Sequence, residues 1–437
     1  MKYKTSATLL ALSMFVAACD RGFILEGDRF PLRAPFSEDA GEAPDNRSLP
    51  ISLPATAVNS DWTHRLGTPS TRNLHPALGG SLQQVWSVPI GQGDGRRHRI
   101  TASPVAAGGL IYTLDSRAQV TAVTTGGEVA WTRDLTPAFT RSGDGASGGG
   151  LAIADGKLFV TSAFGMLYAL DLASGAEVWS KRFDAALSAP PLIAGNRVYV
   201  VAADSTGWAL DSATGQTDWQ LSGAPSVSSM VGGATPAVAG DMVLFPTPAG
   251  ELIAARRDTG QIMWRRAVAG TRIGVAYASV TDVTGDPVVR GDVIHVGNQS
   301  GRVMALDRAT GRPIWTADEA AYGPVWPAGG SVFLMSDRNR IIRLDAGSGE
   351  FIWGQDLPLF TETRERRRAG IFPHHGPLLA GGRLIVGSGD GRLRSFDPAS
   401  GALVAETELR SGAASAPIAV GGTLYVISRD GRLTAYR

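Results

Sequence analysis

Residues 291–315 read GDVIHVGNQSGRVMALDRATGRPIW, and residues 156–179 read GKLFVTSAFGMLYALDLASGAEVW. In both, two short runs of alternating apolar residues flank a Gly-containing turn. A frame of Asp, three residues, Gly, three residues and Trp then closes the unit. Period-two hydrophobicity between Gly-rich turns marks short antiparallel strands. The frame predicts a hairpin in which Asp caps the turn by accepting backbone N–H groups and Gly takes a positive φ that other residues disfavour. The Trp falls on the outer strand, where its large apolar area packs against a neighbouring unit that an isolated four-stranded sheet could not cover.

The frame recurs along the chain. Trp86, Trp131, Trp179, Trp219, Trp264, Trp315 and Trp353 follow one another at 45, 48, 40, 45, 51 and 38 residues, with Ala405 in the eighth place. Asp171, Asp211, Asp307, Asp345 and Asp397 stand in the Asp position, Arg256 replaces it once, and the turn ending at Gly127 is one residue shorter. Four strands per repeat of about 40–50 residues indicate a β-propeller. The last unit stops at Arg437 before any outer strand, while the Trp86 strand has no inner strands before it. The predicted fold is therefore all-β, an eight-bladed propeller over residues 61–437 with four antiparallel strands per blade, closed by the N-terminal strand completing the last blade. Closure also hides sheet edges.

Composition agrees with a folded body. Of 437 residues, 43% are hydrophobic and 19% charged, with a net charge of +1. Disordered chains carry fewer apolar residues and more net charge, and a nucleic-acid binder needs a basic face that 41 basic against 40 acidic residues do not supply. At the N-terminus Lys2 and Lys4, an apolar run and Val16-Ala17-Ala18-Cys19 read as a secretory signal over residues 1–18. The run is too short to span a bilayer. Residues 19–60, with five prolines and no periodicity, read as a mostly disordered tether. Cys19 is the only cysteine, so no internal disulfide can form.

VAAC resembles a bacterial lipobox, which implies fatty acylation of Cys19. Together with the tether and eight blades of the ALDxxTGxxxW type, it resembles the quinoprotein-like (PQQ-like repeat) propeller superfamily and, within it, the BamB lipoproteins of the outer-membrane β-barrel assembly machinery. The resemblance implies a periplasmic, non-enzymatic scaffold that binds BamA and assists insertion of unfolded outer-membrane proteins. The expected location is the periplasmic face of the outer membrane, although Asp20 after the Cys favours inner-membrane retention under enteric-type sorting. The BamA contact in that family is attributed to two inter-blade loops, which fall here at residues 225–236 and 279–287. Val227, Met230 and Val231 in the first, and Asp282 and Thr284 in the second, are the matching positions. Met230-Val231 stands where the better-known members have Leu-Arg, and Thr284 replaces the second acid of an Asp-Val-Asp run.

Two alternatives remain at this point: another periplasmic propeller-type binding protein, and a quinoprotein dehydrogenase. The second would use pyrroloquinoline quinone and Ca²⁺, often beside a vicinal disulfide, which one cysteine cannot make. The Asp residues recur as turn caps and do not converge as Ca²⁺ ligands. No catalytic residue, cofactor or metal site is expected. His374-His375 is expected to be a solvated loop pair, since neighbours on a strand point opposite ways and chelate poorly. GDGRRHR at residues 93–99 and RERRR at residues 364–368 are read as solvated loops, or else as a docking patch for an acidic partner or lipid phosphates. GDGASGGG at residues 143–150 lacks the Lys and helix of a phosphate loop and is read as an inter-blade connection.

Overall fold

The computed structural model describes residues 45–72, 75–140, 147–226, 230–270, 272 and 276–437. Cys19 and Val227 lie outside them. The described chain forms eight four-stranded antiparallel sheets, with only two short 3-10 turns, Ala276–Ser279 and Glu365–Arg367, besides. Strands are lettered A to D from the axis outward. Blade 1 consists of Val105–Ala107, Leu110–Leu114, Gln119–Thr124 and Val129–Asp134, and the next six blades follow in chain order. Blade 8 takes strands A to C from Ile418–Val420, Thr423–Ser428 and Arg432–Tyr436, and strand D from Gln84–Pro89. Trp86 lies opposite Ala435 in that closing pair. The expected eight-blade ring with its N-terminal closing strand is what the chain forms.

The repeated frame explains the packing between blades. Asp307 Oδ1 accepts the Thr310 N–H at 2.8 Å and its hydroxyl at 2.6 Å, and Asp171, Asp211, Asp345 and Asp397 cap their turns in the same way. Gly311 has φ +65°, and a Cβ there would sit 2.5 Å from the Trp264 ring of the preceding blade. Glycine is thus required twice, by the backbone and by the indole lying on it. Each Trp also donates Nε1–H to a carbonyl in the next blade's turn, as Trp264 does to Arg308 at 3.3 Å and Trp315 to Ala346 at 2.9 Å. On its inner side the Trp usually meets an aromatic of strand B, for example Tyr112 with Trp131 and Phe333 with Trp353.

Ala405 now has a physical account. The blade after it is blade 8, whose C and D strands come from opposite ends of the chain. No C–D turn exists there, so a Trp at Ala405 would have no glycine to cover. The missing Trp marks the seam of the ring.

The expected tether begins to dock earlier than its predicted end. The Arg47 N–H donates to Ile352 O at 2.8 Å, Arg343 donates to Leu49 O at 2.7 Å, and Ile51 and Leu53 pack on the core. From residue 45 the chain follows the ring because its polar backbone finds partners there.

Candidate partner-binding site

The two faces of the ring differ. One carries the tight A–B and C–D turns. The other carries the B–C turns and the longer connections from strand D of one blade to strand A of the next.

On the turn side, residues 57–72 and 75–77 run around the axis. Asn59 meets Gly421 and Ala419 of blade 8, Trp62 exchanges backbone bonds with Ala106 of blade 1, and Thr63 accepts from Ile153 of blade 2. His64 Nε2 accepts the Ile193 N–H of blade 3 at 3.2 Å. Pro69 and Ser70 accept from Val238 and Val289 of blades 4 and 5, Arg72 donates to Pro324 O at 2.8 Å before blade 6, and Pro76 accepts from Gly381 of blade 7. The circuit then closes, with Ala57 bonded to His75 and Ala77. Sequence reading missed this element, because no repeat passes through it. Trp62, His64, Leu66 and His75, all buried, were the available signal: apolar and aromatic residues that a solvated tether does not need.

The circuit carries buried charge. Arg65 Nε lies 3.3 Å from Asp286 Oδ2, whose other oxygen accepts the Thr235 N–H at 2.7 Å. Arg72 stacks 4.5 Å over the Trp326 ring, and burial lowers its pKa to about 9 against the pull of Asp286. Burial likewise raises the Asp286 carboxyl, opposed by Arg65. The His64 imidazole is held neutral, with burial lowering its pKa to about 4. These groups tie several blades to one segment.

Above the circuit, the loop face opens into a cleft of about 670 Å³. Arg65, Met230, Val231, Asp282, Phe372 and Arg429 are among the residues around it. Thus the two loops singled out from sequence do meet. Asp282 Oδ2 accepts the Met230 N–H at 2.5 Å, and Asn298 holds the Asp282 and Thr281 carbonyls. Asp282 and Thr284 are not at a loop tip, being 3% and 6% exposed. The second loop turns inward, where Thr284 donates to Ala321 O at 2.7 Å and burial raises the Asp282 carboxyl. Their role is to fasten the loops, while Val231, 51% exposed, presents its side chain to solvent.

His374 and His375 are not a solvated loop pair. They begin strand A of blade 7, His374–Ala380. His374 bonds to Ser388 and to Pro358 O, both at 2.8 Å, and burial lowers the His375 pKa to about 4. The His374 ring is held by one hydroxyl and one backbone carbonyl, and among the described residues no three His, Cys, Asp or Glu side chains converge as a metal site. The two basic segments flank the same cleft. Asp94 of the first accepts from Ile100 N and pairs with Arg99 and Arg429. The second tips a ribbon whose base pairs Phe372 with Leu359 and Thr361 with Gly370.

The comparisons with known proteins fit this geometry. The chain is 22% identical to the outer membrane protein assembly factor BamB of Moranella endobia over 341 residues, 77% of this chain and 85% of that one. It is 26% identical to the Shewanella oneidensis BamB over 343 residues, 77% and 84% of the two chains. Among solved structures, BamB from Moraxella catarrhalis superposes with a TM-score of 0.68 at 22% identity, covering 82% of this chain and 100% of that one. The quinohemoprotein alcohol dehydrogenase of Comamonas testosteroni shares the fold at TM-score 0.64 and 16% identity, covering 87% and 81%. Among the described residues no helix is long and apolar enough to cross a membrane. The family model described as outer membrane protein assembly factor BamB matches residues 116–355 and 361–437, and with most of its propeller so matched, the chain belongs to that family.

Proposed function

We propose that the protein is a non-enzymatic scaffold of the outer-membrane β-barrel assembly complex, binding BamA through the loop face and assisting insertion of unfolded outer-membrane proteins. The observation that carries the reading is the Met230–Asp282 bond, which fastens the two inter-blade loops together and leaves Val231 projecting from the cleft rim. An interface needs an apolar anchor on a rigid support, and this pair supplies both. The relatives are named as assembly factors, and the turn-side half of the axis is filled by the protein's own chain, so no observation favours a dehydrogenase. In this reading Cys19 carries the lipid, the segment from residue 19 tethers the ring, and the ring works at the periplasmic face of the outer membrane.

The test is affinity purification from detergent-solubilised envelopes. BamA is expected to co-purify with the intact protein, and Val231→Glu is expected to reduce its recovery about tenfold by placing an unpaired charge in the contact, with thermal unfolding unchanged. Absence of BamA from the wild-type eluate, or full recovery with Val231→Glu, would overturn the assignment of this site.

A further inference from the structure

The rim of the loop-face cleft has two chemically different sides. On one stand the fastened loops with Val231. On the other stand residues 93–99, which lead into blade 1, and the ribbon that joins blade 6 to blade 7; Asp94, Arg99, Thr361 and Phe372 line the cleft from that side. Elsewhere on the ring, part-exposed arginines sit against carboxylates: Arg133 lies 3.2 Å from Glu177, Arg197 2.7 Å from Asp218 and Arg340 2.8 Å from Asp356. The rim departs from that pattern. Arg96, Arg97, Arg364, Arg366 and Arg367 are exposed, and among the described residues none of them has an ion-pair partner. Behind them Arg99 and Arg429 share the one carboxylate of Asp94, at 3.3 and 3.2 Å. Guanidinium is therefore in clear excess on this side.

The ribbon also indicates what kind of oxyanion these cations meet. Its tip is the 3-10 turn Glu365–Arg367, and residues 361–369 are all exposed. Arg368 is folded back, 5.0 Å over the Phe360 ring and 3.6 Å from Glu365, so Arg364, Arg366 and Arg367 are the uncompensated cations of the tip. An element that enters a bilayer surface carries its apolar residues deepest. Here the apolar pair, Phe360 opposite Ile371, sits at the base, and the tip carries Glu362 and Glu365, which anionic headgroups would repel. A tip of mixed charge beside an apolar anchor suits a protein surface bearing carboxylates, which the guanidinium fork pairs bidentately.

We infer that the arginine side of the rim, Arg96 and Arg97 with Arg364, Arg366 and Arg367, docks a carboxylate-rich surface of the same partner that Val231 anchors across the cleft. This deepens the scaffold reading on which it rests, since it adds a second contact surface and states its chemistry. The two sides divide the work. Exposed charges at a rim attract a complementary surface from a distance and raise the association rate, whereas an apolar anchor held on a rigid support slows dissociation. The partner is thereby oriented as well as bound, because reversing it would set its carboxylates against Val231 and its apolar surface against unpaired arginines.

The test measures association and dissociation of detergent-solubilised BamA on the immobilised full-length protein at low and high salt. The quadruple variant Arg96→Glu, Arg97→Glu, Arg366→Glu, Arg367→Glu is expected to associate about tenfold more slowly than wild type at low salt. The two are expected to converge at about 1 M salt, where the screening length is about 3 Å. Melting is expected to stay that of wild type, since all four side chains are exposed. Arg312→Glu, a charge reversal on the turn face, is expected to leave association within about twofold of wild type. Equal association by the quadruple variant, or association by wild type that does not slow with salt, overturns the inference and leaves the scaffold reading standing. No binding of BamA by wild type at either salt overturns the scaffold reading, and this inference with it. Capture of phosphatidylglycerol vesicles that the quadruple variant loses, with BamA association unchanged, overturns the inference in favour of a lipid surface.

Discussion

The turn face and the loop face are built from the same eight blades under opposite constraints. On the turn face, Asp, Gly and Trp recur with one geometry, because each indole must lie on the next blade's glycine and each turn must cap its own backbone. On the loop face the B–C turns still repeat, but the connections between blades do not: one is pinned by Asp282, another extends into the ribbon ending in arginines, a third holds Asp94 between Arg99 and Arg429. Repetition closes the ring, and departure from it makes one part of the ring different from another.

The sharpest way to break this comparison is at the seam. A chain lacking residues up to Pro89 loses the circuit, the closing strand and Trp86, which packs 5.8 Å from Tyr425 and donates to Thr125 O at 3.0 Å. Urea unfolding is expected to show a loss of more than about 5 kcal/mol or no cooperative transition, since loss of one large buried aromatic alone costs about 3–5 kcal/mol. A chain that unfolds like the intact protein would show that closure does not depend on that strand.

The next effect contrasts the faces directly. Gly311→Ala forces an L-residue to φ +65° and pushes a methyl to 2.5 Å from Trp264, and is expected to cost about 2–4 kcal/mol in thermal or urea unfolding. Val231→Glu on the loop face is expected to stay within about 0.5 kcal/mol of wild type. Similar costs at both positions would erase the distinction.

The smallest effect sharpens it within one blade. His295 fills the strand-B position occupied by Tyr112, Phe159, Tyr199 or Phe333 elsewhere, with its ring 6.0 Å from Trp315. Burial, with Arg290 adding to it, lowers its pKa from 6.5 to about 4. The folded protein keeps the ring neutral while the unfolded chain binds a proton below about pH 6.5, so this residue's contribution to stability falls as pH drops from 6.5 toward 4. His295→Phe is expected to gain about 1–2 kcal/mol over wild type at pH 5 relative to pH 7.5. An unchanged difference between the two pH values would show that the ring is solvated.

How far the sequence could be read follows the same division. The blade count, the seam and the turn caps were legible because the Asp–Gly–Trp frame imposes a local geometry that any one copy reveals. Even Ala405 was a signal, although its meaning required knowing that the next blade has no C–D turn. The loop pairing was legible only through family resemblance, and the depth of Asp282 was not, because burial of a loop carboxylate depends on a backbone N–H 52 residues away. The circuit of residues 57–72 and 75–77 was hidden for a related reason: its partners are single backbone groups on eight different blades, and backbone groups leave no trace in side-chain pattern.

That circuit also sets an order of events. Asn59 bonds to Ala419 across 360 positions and His75 to Gly382 across 307, so the part of the body made first has partners among the parts made last. Contacts so distant in sequence form late. The bonds of residues 59 and 75 to blades 8 and 7 can form only once those blades are made, so the ring is finished when its earliest segment is drawn against its last blades like a cord pulled tight.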